Sequence, residues 1–575
     1  MYKKNQRSEQ PLLLSDVHAL PERSLKYLHN SWADTFRREI FLRIPEEKFR
    51  VLYDPDPSRP NIPVNVLIGL EIIKENRGWS DEELYEHFLF DLQVRYALCC
   101  DTFGEGDFDL RTLYYFRKRV SQHALNTGEN LFKDVFETVT DEQIQKLGLK
   151  TDQQRMDSTQ LLSNIADLSR LELLIGAIQR LHRVITEAEK GLYAERIAPY
   201  IKERAGQYTY RIKGKQAVWV EIEKVGVVLH DLLQKLFEAY HDHEVYQVAQ
   251  RFFDENFKLI ASEVKAKTNN EIQSGCLQSL DDLEASYRSK GNQANKGYVG
   301  NLTETCNPAN PVQLVIHTQT KENRVADTQL MMEALPELKE RTNLNKMVSD
   351  GGYVSEQIDQ FMRTYDVEHI TTSLTGTLPD HQAGKLAFSD FVVDLDQNGI
   401  VTHAVCPAGQ SAAISSSSSG KSFKLTFASA FCQECTFFQN HQCPVKSRKK
   451  NSLFTINLPK DRANSSQRRR HFESCKQEAR NLRPAVEATV FQVKHKLRGG
   501  KLRVRGLFPV TRVFTCMTMA TNLRRINRYL NDSQRGKFTS RKGRESFFVR
   551  FYDMFKTFFR QFGQFLFASG TCFIC

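Results

Sequence analysis

The stretch QRMDSTQLL, residues 154–162, predicts the strand on which the rest of the fold is built. Met156 and Ser158 alternate with Asp157 and Thr159, and this period of two is typical of a half-buried strand. Asp157 is therefore a candidate for chemistry at a sheet, although a single acid in a strand is often only structural.

Downstream of this strand, the pattern alternates between strands and helices. Residues 163–290 are mostly helical in character. Residues 297–306 and 311–320 predict two strands, and the sequence NPANP between them has the turn chemistry of a hairpin. Residues 327–341 then predict a helix. This alternation indicates an α/β fold with a helical insertion.

Two further acids stand at the ends of predicted elements. Asp350 closes a short apolar strand, and Gly351 and Gly352 after it force a turn. Glu487 is predicted near the start of a helix that begins at about Pro484. Taken singly, these acids have ordinary explanations as a turn former and a solvated helix residue. Three acids at element ends could together bind Mg²⁺, which prefers oxygen ligands.

Charge is spread unevenly along the 575 residues. Residues 446–560 hold 30 of the 80 Lys and Arg residues but 7 of the 69 Asp and Glu residues, a net +23, while the remainder of the chain has −12. So large a basic block predicts a polyanionic partner. Nucleic acid is favoured over the two alternatives, a membrane surface and a merely solvated face.

Composition excludes several classes of protein. With 40% hydrophobic and 26% charged residues, the chain is globular in character. It has neither the roughly 18 uninterrupted apolar residues of a membrane span nor the apolar core of a secretory signal. We therefore expect a cytoplasmic, nucleoid-associated protein without a membrane partner.

Four cysteines lie between the second and third acids: Cys406, Cys432, Cys435 and Cys443. The middle pair forms a C-x-x-C motif, and four thiolates in a reducing compartment suit a structural, tetrahedral Zn²⁺. His403 or His441 is near enough to replace one ligand. Buried free thiols and a redox pair are the alternatives. Zinc would explain how a serine-rich stretch that is poor in core residues becomes ordered.

The acids and their surroundings resemble the DDE class of bacterial insertion-sequence transposases, which have an RNase H-like catalytic core. The sequence MDST at residues 156–159 resembles the first signature of that family. The sequence SDGGY at residues 349–353 resembles the aspartate-x-x-tyrosine neighbourhood of its second acid. The order and spacing of these short motifs carry the resemblance.

The third part of the resemblance is the tyrosine–arginine–glutamate–lysine signature. Arg483 precedes Glu487 and Lys494 follows it at the family's spacing, but Arg480 stands where the family has tyrosine. Glu487 and Lys494 are seven residues apart and so share one face of a helix. The departure at Arg480 puts the role of this turn, and full activity, in question.

The resemblance implies that Asp157, Asp350 and Glu487 hold two Mg²⁺ or Mn²⁺ ions for DNA cleavage and strand transfer. Basic residues around the third acid would hold DNA phosphates: Arg480, Arg483, Lys494 and Lys496. For Arg483 and Lys494, a salt bridge to Glu487 is the alternative. The implied partners are double-stranded DNA, as terminal inverted repeats and target, and a second copy of the chain.

The N-terminal region also resembles that of InsH-type transposases. Residues 63–122 read as a compact helical unit in which Val66, Leu70 and Ile73 form one buried stripe. Its basic last helix suits a helix-turn-helix-like DNA reader. A plain helical dimerisation domain is the alternative.

The predicted fold class is α/β: an RNase H-like mixed sheet with a helical N-terminal domain, a helical insertion and a zinc-knuckle insertion. The predicted domains are a helical, DNA-binding 1–125, a first core part 150–375 with its insertion 163–290, a cysteine-rich 376–450, a last core part 451–530 and a basic, Phe-rich tail 531–575. A decayed, DNA-binding derivative of a transposase is the alternative function, and a nuclease without strand transfer is a third.

Overall fold

The computed structural model describes residues 1–534 except 8–9, 11, 13, 55, 57–59, 291–292, 375–383, 418–419 and 449–452. Beyond residue 534, the predicted Phe-rich tail lies outside the described residues. Inside the long helix that carries Glu487, the side chains of residues 476, 478–484 and 486 also lie outside the description.

Helices make up the N-terminal region: α1 (Glu22–His29), α2 (Trp32–Glu39), α3 (Val64–Arg77), α4 (Asp81–Phe90), α5 (Leu92–Ala97), α6 (Arg111–Thr127) and α7 (Leu131–Leu147). The apolar spacing of α3 predicts one buried stripe, but the observed burial is not limited to a stripe. Every residue from Val64 to Lys74 is buried. The reason is tertiary, because a helix from the far end of the chain packs on the side that an isolated domain would expose to water.

The central part of the chain alternates strands with helices. The elements run β1 (Gln153–Leu162), α8 (Arg170–Val184), α9 (Glu187–Ile201), α10 (Ala205–Tyr210), α11 (Lys215–Tyr240), α12 (Glu244–Asn256), β2 (Phe257–Ile260), β3 (Glu263–Ala266), β4 (Ser286–Lys290), β5 (Gln293–Thr305), β6 (Val315–Glu322), α13 (Asp327–Arg341), β7 (Lys346–Ser349), α14 (Glu356–Thr364) and β8 (Glu368–Thr371). The strand predicted at residues 154–162, the hairpin and the helix at 327–341 are confirmed.

The described residues form a mixed central sheet of six strands. Its order is β4-β5-β1-β7-β8, with β6 also paired to β5. Strand β5 runs antiparallel to β1 and β6, whereas β1, β7 and β8 are parallel to one another. This arrangement, with helices packed on the sheet, is compatible with the RNase H-like core that the sequence predicts.

Between β1 and β4, helices α8–α12 pack around an apolar cluster of their own. Leu174 and Ile178 of α8 are fully buried there against Val225 and Leu229 of α11. The chain therefore leaves the central sheet after β1 and returns to it at β4.

The remaining elements run β9 (Val392–Leu395), β10 (Val401–Val405), β11 (Ala413–Ser416), β12 (Ser422–Phe427), α15 (Ser429–Glu434), α16 (Thr436–Gln439), β13 (Lys446–Arg448), β14 (Leu453–Pro459), α17 (Lys460–Lys494) and α18 (Leu507–Gln534). The cysteine-rich stretch, which is poor in core residues by sequence, takes part in an apolar core together with β14. Phe391, Phe423, Leu425, Phe427 and Ile456 form a buried cluster between its strands. Alternating burial along β12 shows the ordinary pattern of a packed strand.

Helix α17 also corrects the sequence prediction. It begins at Lys460 rather than near Pro484, so the positions of Arg480, Arg483 and Pro484 all lie inside one helix. Proline lacks an amide N–H and is usually excluded from a helix interior, which is why it predicted a start. In this chain the helix continues through it.

Helix α18 connects the N-terminal helices with the central sheet. It packs on α2, α3 and α7 on one side and on β6 on the other. Its Phe514 and Val510 are buried in the same apolar cluster as Ile68 of α3 and Leu161 of β1. Within the described ranges, none of the helices combines the length and the apolar character needed to cross a membrane.

Candidate active site

The first two predicted acids follow the paired part of two adjacent parallel strands, Asp157 within β1 and Asp350 directly after the end of β7. Arg155 of β1 pairs with Val348 of β7, and Asp157 and Asp350 each follow two residues later along the chain. Neighbouring strands are about 4.8 Å apart, so the two acids follow the last β1–β7 pair on neighbouring segments of the chain. Both residues are half-buried.

The turn after β7 fixes the carboxylate of Asp350. Its side chain accepts a hydrogen bond from the backbone N–H of Gly352 at 2.9 Å and so caps the short 3₁₀ turn Gly351–Tyr353. This turn brings Tyr353 back under the acid. The glycines that predicted a turn from sequence thus serve to hold the acid at the end of the strand.

Tyr353 is buried at the centre of the acids. Its hydroxyl group donates a hydrogen bond to Oδ1 of Asn301 at 2.7 Å. Burial raises the pKa of Tyr353 well above its ordinary value, and the nearby charges of Asp327, Asp157 and Asp350 raise it further. The carboxylates of Asp327, Asp157 and Asp350 therefore all lie near this phenol.

Asp327 is an acid that the sequence analysis did not single out. It is buried at the start of α13 and accepts a hydrogen bond from Ser158 Oγ at 3.0 Å. The guanidinium group of Arg288 donates to both of its carboxylate oxygens, at 3.2 and 3.3 Å. In the sequence it resembles the ordinary acid of a helix first turn, and the contact with the residue after Asp157 is visible only in the fold.

Asp327 and Asp350 approach each other across Gly352. A Cβ atom built on Gly352 would lie 3.0 Å from Oδ2 of Asp327 and 3.0 Å from Oδ1 of Asp350. Glycine is therefore the residue that lets both carboxylates approach this point of the backbone.

Helix α17 runs alongside β1 and carries the third predicted acid. Lys494, at its last position, donates from Nζ to Thr159 Oγ1 at 3.2 Å and to the carbonyl oxygen of Gln160 at 2.7 Å. Glu487 is exposed and lies two turns earlier on the same face, about 10 Å along the axis. The same helix face therefore carries both Glu487 and the lysine that is bound to β1.

A buried ionic cluster fixes the position of α17. Glu304 of β5 accepts hydrogen bonds from Arg155 Nε at 2.6 Å, from Arg525 at 2.6 Å and from Thr489 Oγ1 of α17 at 2.5 Å. Burial opposes ionisation of Glu304, but the charges of Arg525 and Arg155 outweigh burial and lower its pKa. One carboxylate therefore links β1, β5, α17 and α18 two residues from Glu487.

The predicted phosphate ligands occupy different surroundings. Burial lowers the pKa of Lys494, whose ammonium group is held by β1. Lys496 is exposed, and its backbone carbonyl lies beside Gly78 at the end of α3. The positions of Arg480 and Arg483 are in α17, but their side chains lie outside the described residues.

The four cysteines of the predicted zinc site lie near one another beside the apolar cluster of β9–β14. Burial raises the pKa of the Cys432 thiol to about 11, and the thiols of Cys406, Cys443 and Cys435 add to this. The amide N–H of Gln410 points at Cys406 Sγ at 3.4 Å. An amide donor directed at one sulfur is the kind of outer contact that orients a metal-ligating thiolate. Among the described residues, one group of side chains has three possible ligand atoms within 4.8 Å of one another, and it does not include these cysteines. The sulfur atoms of the four cysteines are spread more widely than that.

With this geometry established, comparison with known proteins adds one finding. Residues 405–527 match the family model of the transposase DDE domain. The match covers the cysteine-rich stretch from Val405 onward, the whole of α17 with Glu487, and most of α18. Asp157 and Asp350 precede it. Comparisons with curated proteins and with solved structures gave no significant match. The matched segment thus supports a DDE transposase, a class of enzyme that acts on DNA and usually uses divalent metal ions.

Proposed function

We propose that this protein is a DDE-type DNA transposase that cleaves the ends of an insertion sequence and joins them to target DNA. The observation that carries the proposal is the position of Asp157 and Asp350, each two residues beyond the last pair of the parallel strands β1 and β7, with α17 of the DDE-like segment packed along β1. The three acids belong to distant parts of the chain, and a common metal site would give these separate positions one function.

Asp157, Asp350 and Glu487 would hold two Mg²⁺ or Mn²⁺ ions. Their carboxylate oxygens are the donors that such hard cations prefer, and the first two are half-buried and thus reachable from solvent. The ions would supply activation of the attacking oxygen and stabilisation of the leaving oxygen of a phosphodiester. No covalent intermediate with the protein is required.

The surrounding residues position the acids. Gly352 N–H orients the Asp350 carboxylate, and Ser158 Oγ links β1 to Asp327. Lys494 holds α17 to β1. Buried Tyr353 is neutral, as an ordinary phenol is near neutral pH, and adds no charge beside the acids. These contacts keep the carboxylates in place before DNA or metal ions arrive, which lowers the cost of ordering them on binding.

DNA would be recognised mainly through its phosphates. The basic excess of residues 446–560 includes α17, whose positions 480 and 483 carry arginine, and Lys496 beyond its end. Arginine suits bidentate phosphate contacts. We propose terminal inverted repeats and target DNA as substrates, and a homodimer on DNA as the working form, since one transposition event joins two ends.

Cys406, Cys432, Cys435 and Cys443 would hold a structural Zn²⁺ ion. The half-buried thiols and the Gln410 amide directed at Cys406 support this ligand set. Removing one ligand, as in Cys435→Ser, should release zinc and lower the thermal stability of the β9–β14 unit. Zinc content measured on the purified chain and on this variant tests the assignment.

The test of function is cleavage of a labelled duplex that carries the ends of the encoding element, with Mg²⁺, by the wild type and by Asp157→Asn. Cleavage that is lost in the variant, with DNA binding retained, supports the proposal. Joining of the cleaved ends to a second duplex separates a transposase from a nuclease. Salt-sensitive binding by both proteins without cleavage by either would refute it and favour the binding-only alternative, which rests on Arg480 in place of tyrosine.

A further inference from the structure

A second cluster of metal-ligand side chains lies away from the acids, between α17 and the outer strand β8. The side chains are Glu368 at the start of β8 and His471 and Cys475 of α17, and their ligand atoms all lie within 4.8 Å of one another. They contribute one oxygen, one nitrogen and one sulfur. From this geometry we propose that the cluster is a binding site for a borderline-soft divalent cation, Zn²⁺ in the first place.

The two helix ligands are already aligned. His471 and Cys475 are four residues apart, so they lie on one face of α17, one turn from each other. Cys475 Sγ is 3.8 Å from His471 Nε2 and 3.9 Å from Nδ1. A tetrahedral zinc ion on Nε2 would separate that nitrogen from the sulfur by about 3.6 Å, close to the present spacing, and the imidazole ring would turn so that Nδ1 moves away from the sulfur.

The third ligand approaches from the sheet. Glu368 Oε1 lies 3.6 Å from His471 Nε2, against about 3.4 Å for nitrogen and oxygen ligands of one tetrahedral zinc ion. Lys346 Nζ lies 3.3 Å from the other carboxylate oxygen, Oε2. The ammonium group therefore orients the carboxylate from the side away from the helix and leaves Oε1 directed at the imidazole.

The surroundings suit a metal ion that enters from solvent. The side chains of Glu368 and His471 are 42% and 37% exposed. Cys475 is half-buried and packs against the apolar cluster of Cys306, Val348 and Ile370. The site thus has an apolar floor and an open side, where a water molecule would complete four ligands. Cys475 would bind as the thiolate and release its proton to solvent.

Binding would connect two structural elements. Helix α17 is held to the neighbouring α14 by Arg468, which donates to Asp359 at 2.9 Å, and by Asn464, which donates to Glu356 at 3.0 Å. A metal ion at Glu368, His471 and Cys475 would extend this attachment to the sheet itself. It would fix α17 about 18 Å along its axis from Glu487.

The donor set selects the ion. Sulfur and imidazole ligands favour Zn²⁺ and other late transition metals, and they disfavour Mg²⁺. The site is therefore chemically distinct from the three-carboxylate site, and occupation of one does not require occupation of the other.

The test measures metal stoichiometry of the full-length chain without DNA. The protein is stripped with a chelator and titrated with Co²⁺, which gives a thiolate charge-transfer band and visible bands when bound tetrahedrally, and Zn²⁺ is then counted by elemental analysis. We expect Cys475→Ser and His471→Gln each to bind one equivalent less than the wild type. Cys276→Ser, which removes another partly exposed thiol, should match the wild type.

The variant Cys435→Ser distinguishes the newly proposed site from the predicted four-cysteine zinc site. If the inference is right, Cys435→Ser keeps the equivalent that depends on Cys475, and Zn²⁺ still raises its melting temperature. If a helix variant fails to fold, Glu368→Gln, at a more exposed position, replaces it in the test. Because this variant loses a direct ligand, it should bind Zn²⁺ at least about tenfold more weakly. Equal stoichiometry and equal affinity in the wild type, His471→Gln and Glu368→Gln would overturn the inference, whatever the outcome of the cleavage assay.

Discussion

Replacement of Glu304 by glutamine tests the mechanism that places α17 beside the sheet. Glu304 is 1% exposed and accepts hydrogen bonds from Arg155, Arg525 and Thr489. Glutamine keeps the shape of the side chain but removes its charge. Two arginines whose side chains are 9% and 14% exposed then lose their counter-ion.

The expected cost follows from that burial. Removing one partner of a buried ion pair costs about 3–5 kcal/mol, because a charge is left unpaired in a poorly solvated place. In a cooperative unit of 150–250 residues, 1 kcal/mol lowers the melting temperature by about 2–4 °C, so a drop on the order of 10 °C is expected. Cleavage should also fall, since Thr489 loses the acceptor that holds α17 two residues from Glu487.

The pH dependence has a definite sign. The pKa of Glu304 is lowered in the folded protein, so its charge stabilises the fold above the ordinary glutamate pKa of about 4.3 and this stabilisation is lost as the pH falls below that value. The difference between wild type and Glu304→Gln should therefore be constant near neutral pH and shrink in acid.

Chemical and thermal unfolding of both proteins, from pH 7 down to pH 3, provides the assay. Glu340→Gln, at an exposed position of α13, is the control and should change stability by less than about 0.5 kcal/mol. A Glu304→Gln protein as stable as this control would refute the argument, because it would mean that the two arginines do not need the carboxylate.

Three further predictions concern the site and its frame. Gly352→Ala should reduce cleavage at least about tenfold with DNA binding unchanged, because the new Cβ lies 3.0 Å from carboxylate oxygens of Asp327 and Asp350 that must move; unchanged cleavage would contradict this. The ammonium group of Lys494 is bound to β1, so Lys494→Met should lower the cleavage rate more than the affinity for DNA. An equal loss of cleavage rate and DNA affinity would instead identify Lys494 as a phosphate contact. Burial lowers the pKa of His317 to about 4, so between pH 6.5 and 4 the unfolded chain binds a proton that the folded chain does not, and the protein loses stability as the pH falls. The unfolding free energy of His317→Gln should therefore depend less on pH in this window than that of the wild type. An identical pH dependence of the two proteins would disprove the assignment.

Local sequence predicted most elements of the central sheet, although β4 lies in the stretch that was read as mostly helical. Alternation around Asp157 predicted β1, and an apolar run closed by two glycines predicted β7 and the turn after it. Such patterns need only neighbours along the chain, because side-chain alternation and glycine conformations are local properties. The helix α13 was predicted for the same reason, with its observed bounds.

The sequence failed where a distant segment decided the structure. Proline at position 484 predicted a helix start, but packing of α17 along β1 and α14 sustains the helix through it. Helix α3 is buried on every side because α18 covers it. The cysteine-rich stretch has a core because strands β9–β14 combine apolar residues that are individually sparse in the sequence.

The candidate site shows the same division. The sequence proposed Asp157, Asp350 and Glu487 as candidates from their residue type, their order and the resemblance to transposases. Only the tertiary structure brought Asp327 beside Asp350, joined Glu304 to two arginines from β1 and α18, and set Glu368 against His471 and Cys475. These contacts join residues up to hundreds of positions apart, and their geometry comes from strand register and helix packing, which no local pattern encodes.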